Sequence, residues 1–483
     1  MDNGRGVAAP TTPQPRPPHV VLLPTPGMGH LIPMVELAKL LVAHHRFSVT
    51  IITLDASSAS KAQDALFSSL PDSISTLALP SVPLDDLPSD ARIETIISVA
   101  VSRSLPHLRD ALSRLNSSAN LVALVVDLFG TDNFTVARDL VLPSYLFFPS
   151  NLLTLSLIFH LPELDATTTC EYRDLPEPLR LPGCVPIPGR DLLHPIQDRS
   201  NDVYRWVVHH ARRYREAEGF LVNSFDAIEP EAAKVLREPE PGRPPVYLVG
   251  PLTQCWNPKA DEERAECLRW LDQQPPGSVL FVSFGSGGTL TTAQTAELAL
   301  GLELSGQRFL WVVKSPSDGE TASEAYFSVR SKEDPFGFLP AGFVHRTREV
   351  GLLVPSWAPQ VAVLNHAAAG GFLSHCGWNS TLESVVAGVA MVAWPLFAEQ
   401  RQNAVMLAEG ARIALRPRGL AEGGLVPREE VARVVRELME GEEGKAARQR
   451  VAELRKAAVS GLEEGGAAYN ALAEVASKWK TTN

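Results

Sequence analysis

Near its start the chain runs through a short apolar stretch, a glycine turn and a helix-like segment in immediate succession: HVVLLPT at residues 19–25, then PGMGH, then LIPMVELAKLLVAHH. FSVTIITL and the continuous apolar run LVALVVDLF at residues 121–129 repeat the strand signal, and IETIISVAVSRSLPHLRDALSRL lies between them as a helix. An unbroken Val, Ile and Leu run of this kind fits a parallel strand covered on both faces. Alternation of such strands with helices implies a doubly wound α/β sheet. The alternation returns after about residue 265, in SVLFVSFGS, AELALGLELSG, RFLWVVK, GLLVPSW, GGFLSHCG, TLESVVAG and VAMVAWP. At 483 residues the chain exceeds what one hydrophobic core sustains, so two Rossmann-like domains are expected. We place a disordered tail at 1–18, a first Rossmann-like domain at 19–250, a linker at 251–265 and a second at 266–460. A C-terminal helix at 461–483 is expected to pack back on the first domain. The polar, aperiodic stretch 315–338 reads as a surface loop.

Charge and composition exclude several function classes. A net charge of −11 argues against a nucleic-acid surface, which requires concentrated Lys and Arg. The Pro-rich N-terminus lacks the apolar stretch of a secretory signal, and no apolar run reaches the roughly 18 residues of a membrane span. Five widely spread cysteines with no CxxC pair suit free thiols, so a cytoplasmic protein is expected. Asn116, Asn133 and Asn379 open N-x-[ST] triplets that carry no glycan in that compartment. The reading is of a monomer that binds small molecules only.

Residues 357–400, WAPQVAVLNHAAAGGFLSHCGWNSTLESVVAGVAMVAWPLFAEQ, hold most of what a nucleotide sugar requires. Trp357 follows a strand, where an indole can stack on a planar base for about 1–3 kcal/mol. The sequence HCGWNS leads into a helix whose unpaired amides and positive dipole end favour a diphosphate. Asn379 and Ser380 are equally good helix caps, and the two roles are compatible. His375 adds a donor toward phosphate, with Gly377 allowing close approach. Glu383 offers a carboxylate to ribose hydroxyls, and the Glu399-Gln400 pair offers acceptors and donors to a hexose. Ser286 sits in a second strand-end glycine turn, SFGSGG.

In length and order this block resembles the signature of the plant family-1 UDP-dependent glycosyltransferases. The resemblance implies the GT-B fold, two Rossmann-like domains facing each other across a cleft. It assigns Trp357 to the uracil ring and Gln360 to the ribose, and Ser286 to UDP. Gly29, Ala358, Trp378, Asn379 and Ser380 complete the implied donor set. Glu399 stands where most relatives have Asp, and Gln400 resembles enzymes that prefer glucose over galactose. Ala367 and Ala390 replace the usual prolines at turns.

A transferase of this kind needs a base, and His has a reference pKa near neutrality. His30 follows PGMG at the carboxyl end of the first strand, where α/β sheets form their ligand crevice. A helix-start histidine satisfied by solvent is the alternative from the residues alone; the family places its catalytic histidine at this position. Asp127 ends LVALVVD at the same sheet edge and would orient the imidazole and stabilise its cation. Asp132, past a glycine, fits a turn better. The implied reaction is a single, inverting displacement without a metal or other cofactor, since no D-x-D triplet is present. G-x-S-x-G, H-E-x-x-H and G-x-G-x-x-G are absent, and GEEGK lacks P-loop spacing. Outside the block, PTPGMGHLIPMVELAK, ALVVDLFGTDNF and CEYRDLPEPLRLPGC look most like the hydroquinone glucosyltransferase branch. UDP-glucose and a small phenol are therefore the expected substrates, with Phe129, Phe148, Asn151 and Leu193 beside His30 as acceptor-pocket candidates.

Overall fold

The computed structural model describes residues 17–54, 61–88, 90–253, 266–318, 335–420 and 424–481. Most of the expected tail and linker, and the centre of the expected loop at 315–338, lie outside them. Two parallel sheets carry the chain. The first is ordered β3-β2-β1-β4-β5-β6-β7, from β1 (Pro18–Leu23), β2 (Ser48–Thr53), β3 (Ile74–Ala78), β4 (Asn120–Asp127), β5 (Ser144–Phe148), β6 (Phe220–Val222) and β7 (Val246–Leu248). The second is ordered β10-β9-β8-β11-β12-β13, from β8 (Val279–Ser283), β9 (Arg308–Val313), β10 (Gly351–Pro355), β11 (Ala369–Ser374), β12 (Met391–Ala393) and β13 (Ala414–Leu415).

In each sheet the winding reverses once. The first reverses between β1 and β4, the second between β8 and β11, and a crevice opens at the carboxyl ends of the strands at each reversal. β4 is buried from its second residue to Asp127, as expected of a strand covered on both faces. Gly27, with φ 121°, makes the turn from β1 into the helix Met28–His45, a backbone conformation that side-chain-bearing residues avoid.

The chain passes from the first sheet to the second between β7 and the helix Glu266–Leu271. After the helix Glu442–Leu462 it returns, and the helix Ala467–Thr481 lies against the first sheet. Trp479 anchors that return. It is fully buried, with its ring 5.9 Å from Phe47 and 5.3 Å from Tyr145, centroid to centroid. Among the described residues no helix is long and apolar enough to cross a membrane.

Candidate functional site

The two crevices face one another and form one cleft of about 1140 Å³, lined by residues of both sheets. On the first sheet's side, His30 and Asp127 meet at the β1/β4 reversal. His30 Nδ1 lies 2.8 Å from Asp127 Oδ2, with the histidine side chain one-quarter exposed to the cleft and the aspartate wholly buried. The aspartate is held on all sides. The Thr25 amide and hydroxyl donate to Oδ2 at 3.3 and 3.1 Å, and the Leu128 amide donates to Oδ1. Burial opposes protonation of His30, but the Asp127 carboxylate beside it, with a smaller contribution from Glu399, outweighs burial and raises the pKa above its ordinary 6.5. The alternative carboxylate, Asp132, is engaged elsewhere, by His209 at 2.7 Å and Arg213 at 2.6 Å.

Behind His30 the wall is mostly apolar. Phe129, Phe148 and Leu193 line the cleft with Ile97, Ile158 and Val207. His210 closes this wall with both ring nitrogens occupied, by Thr131 at 2.7 Å and Ser98 at 3.0 Å. Burial pushes its pKa down to about 3, so it stays uncharged at neutral pH. Asn151, expected in this pocket, is not there. It is fully buried and caps the helix Leu152–Thr167, accepting from the Thr154 amide at 2.8 Å, while its Nδ2 donates to Asn403 Oδ1 at 2.7 Å. Its polar atoms are spent on the cap and on the seam between the two sheets. Gln402 crosses the same seam to Thr154 Oγ1 at 2.6 Å.

The second sheet contributes the opposite wall. Trp357 is 70% exposed and lines the cleft with Ala358. Gln360 Nε2 donates to Glu383 Oε2 at 2.7 Å and to Ser380 Oγ at 2.9 Å. Burial pushes Glu383 up to about 7, against the Gln360 hydrogen bond that favours the carboxylate. His375, at the end of β11, is wedged between two glycines: a Cβ at Gly285 or Gly377 would come within 2.6 or 2.5 Å of its ring. Burial, aided by Lys314, lowers its pKa to about 4, so it is a neutral imidazole with Nδ1 buried and unpartnered. Gly377 takes the cap position of the helix Trp378–Ala387. Asn379 and Ser380 therefore lie in its first turn, not at the cap.

Two of these residues also join the walls. Asn379 Nδ2 donates to the Gly29 carbonyl at 2.9 Å, one residue from His30. Trp378 Nε1 donates to the Asn223 carbonyl at 2.7 Å, and the indole is buried. The side chain of Trp378 is thus an interdomain strut, and the residue also lines the cleft at the start of the helix Trp378–Ala387. Gln400 Oε1 accepts from the Leu396 and Phe397 amides at 2.9 and 3.1 Å, which shapes the loop and leaves the amide nitrogen for a ligand. Glu399 is half-buried at the cleft, its pKa raised by desolvation, and Asn403 Nδ2 reaches it at 3.4 Å.

Several contributors escaped sequence reasoning. Thr25 was legible only as part of PTPGMGH, and Asn403 and Lys314 carry no local signal. Nor does the left-handed backbone of Ser356 (φ 65°), Cys376 (φ 65°) and Ala398 (φ 53°), each one residue from Trp357, His375 or Glu399. Strain of this kind, about 1–3 kcal/mol per residue, is held where the surrounding packing fixes a side chain's aim. An exposed indole held on such a turn is well placed to stack on a base. Trp357→Ala is expected to weaken UDP binding by about 1–3 kcal/mol, measured by calorimetry.

Comparison with known proteins agrees with this geometry. The family model described as UDP-glucoronosyl and UDP-glucosyl transferase matches residues 236–455. A hydroquinone glucosyltransferase of Rauvolfia serpentina is 53% identical over 463 residues, covering 96% of this chain and 98% of the relative. A solved structure of Phytolacca americana UGT2, complexed with UDP-2fluoro-glucose and pterostilbene, is 51% identical with a TM-score of 0.87, covering 96% of this chain and all of that one. A Polygonum tinctorium UDP-glucosyltransferase capable of glucosylating indoxyl, in complex with 3,4-dichloroaniline, is 49% identical with a TM-score of 0.89, covering 97% of this chain and all of that one. With two parallel Rossmann-like sheets, a shared cleft and relatives of this identity over nearly its whole length, the chain belongs to the plant family-1 UDP-glycosyltransferases of the GT-B fold.

Proposed function

We propose that the protein transfers glucose from UDP-glucose to the hydroxyl of a small phenol, with inversion, giving a β-D-glucoside and UDP. One observation carries this reading: the His30–Asp127 pair, at 2.8 Å, opens onto the cleft that Trp357, His375 and Glu383 line from the other side. Asp127 accepts a hydrogen bond from Nδ1–H, which keeps the proton there and leaves Nε2 of His30 as the base. As Nε2 takes the phenolic proton, the phenolate oxygen forms a bond to the anomeric carbon. The bond from that carbon to the β-phosphate oxygen breaks on the opposite face, and its electron pair leaves with UDP.

Each donor group has a matching role. Trp357 stacks on uracil, Gln360 and Glu383 hold the ribose, and Glu399 with the Gln400 amide nitrogen takes the glucose hydroxyls. The start of the helix Trp378–Ala387 and the neutral His375 take up the charge that develops on departing UDP. In this scheme protein groups answer that charge, so activity is expected to withstand a chelator. The apolar wall of Phe129, Phe148 and Leu193 suits an aromatic ring and separates similar rings weakly, since a methylene is worth about 1–3 kcal/mol.

The test is a screen of small phenols, anilines and flavonoids with UDP-glucose, with product mass and anomeric configuration determined. A β-glucoside of a phenol, with little UDP released in the acceptor's absence, is the expected result. An α-product, or UDP release that does not depend on acceptor, would overturn the mechanism. Faster transfer from UDP-galactose would overturn the role of Gln400.

A further inference from the structure

The glycine turn after β8 is gripped from behind. Lys314, the residue that follows β9, donates from Nζ to the carbonyl oxygens of both Gly285 and Ser286. The next residue adds a second tie, because the Ser315 carbonyl accepts from Thr289 Oγ1 at 2.7 Å. Lys314 itself does not line the cleft, whereas Gly285, Ser286 and Gly287 do.

In a trans peptide the C=O and the following N–H point in opposite directions. Carbonyls of Gly285 and Ser286 drawn onto one ammonium therefore turn the amides of Ser286 and Gly287 the other way. Neither amide has a hydrogen-bond partner among the described residues. Two successive free amides form an anion-binding nest, and this one lies beside His375, whose ring packs against Gly285.

We propose that Lys314 is a positioning residue for the donor: by clamping the two carbonyls it holds the Ser286 and Gly287 amides toward the diphosphate of the nucleotide sugar. The inference rests on the reading that UDP-glucose binds in this cleft. His375 on the neighbouring strand end feels Lys314, but burial, with Lys314 adding to it, lowers its pKa to about 4, so it stays neutral while Lys314 titrates. Asp318, further along the same segment, is tied to Thr292.

Burial pushes Lys314 down to about 8, so it loses its proton within an accessible range. Below that value the ammonium grips the turn; above it the grip weakens and UDP binding falls. The ionisations of UDP itself, at the terminal phosphate on the acid side of this window and at the uracil N3–H on the alkaline side, are common to wild type and variants and cancel in the comparison between them. Glu383, pushed up to about 7, titrates on the acid side of that window.

The experiment measures Kd for UDP by calorimetry across this range in the wild type, Lys314→Met and Lys314→Arg, with circular dichroism and melting to establish folding. The Met variant should bind UDP about tenfold more weakly at neutral pH, the loss expected when a charge-assisted hydrogen bond is removed, and show no further weakening toward alkaline pH. The Arg variant should recover most of the affinity and stay level where the wild type declines, while KM for the acceptor is unchanged in both. A folded Met variant with wild-type affinity, or one that keeps the alkaline decline, overturns the proposal. Failure of the wild type itself to bind UDP would overturn the donor reading instead.

Discussion

Replacing His30 by alanine is expected to lower turnover by about 10²–10⁴-fold, the range a well-placed general base supplies, and to leave Kd for UDP unaltered. The separation follows from the geometry. His30 belongs to the first sheet and pairs with Asp127, whereas Trp357, Gln360, His375 and Glu383 come from the second. Calorimetry with UDP and steady-state rates with a phenol read the two halves independently. Retained turnover in the alanine variant would remove His30 from the mechanism. Weakened UDP binding would place it in the donor site.

Asp127→Asn is expected to be at least as costly, about 10⁴-fold in turnover, since a buried carboxylate in this position sets the tautomer of the base. The surroundings of Asp127 show why a carboxamide cannot substitute. The Thr25 amide and hydroxyl and His30 point donors at Oδ2, and the Leu128 amide points one at Oδ1. Either orientation of Asn sets its own NH₂ against a donor. The imidazole escapes one of these clashes by moving its proton to Nε2, which leaves no lone pair for the phenol.

The pH profile supplies a second readout. The His30 pKa is raised, chiefly by Asp127 acting against burial, so in the free enzyme the base is protonated below that value and available above it. The acid limb of kcat/KM should therefore lie above 6.5 in the wild type. Loss of the Asp127 charge removes the largest raising influence, and the limb of the residual activity should move to lower pH. A limb that stays in place would show that Asp127 does not hold the proton on His30.

The sequence revealed those parts of the site that obey short-range rules. Strand, glycine turn and helix are local patterns, so both sheets and their carboxyl edges were legible, and with them the positions of His30 and Asp127. Gly377 beside His375 was legible as a close approach because only its missing side chain admits the ring. Asn151 shows where such reading stops. Its amide can serve a ligand, a helix end or another chain segment, and the choice depends on Asn403, 252 residues away. Trp378 likewise spends its indole N–H on the Asn223 carbonyl, 155 residues away in sequence, a bond that no local pattern announces. Lys314 reads as an ordinary solvated end to the strand motif RFLWVVK. Its importance comes from the carbonyls that β8's turn presents to it.

The chain crosses between the two sheet domains once outward, after β7, and once back, before the helix that carries Trp479. A body pinned at a single point can twist and swing in any direction, whereas one pinned at two points turns only about the line between them. The returning helix therefore acts as a second pin, alongside the seam bonds of Asn151 to Asn403 and Trp378 to Asn223, and restrains how the two sheets can turn about one another. His30 on one wall and Trp357 on the other are thereby held in fixed register across the cleft.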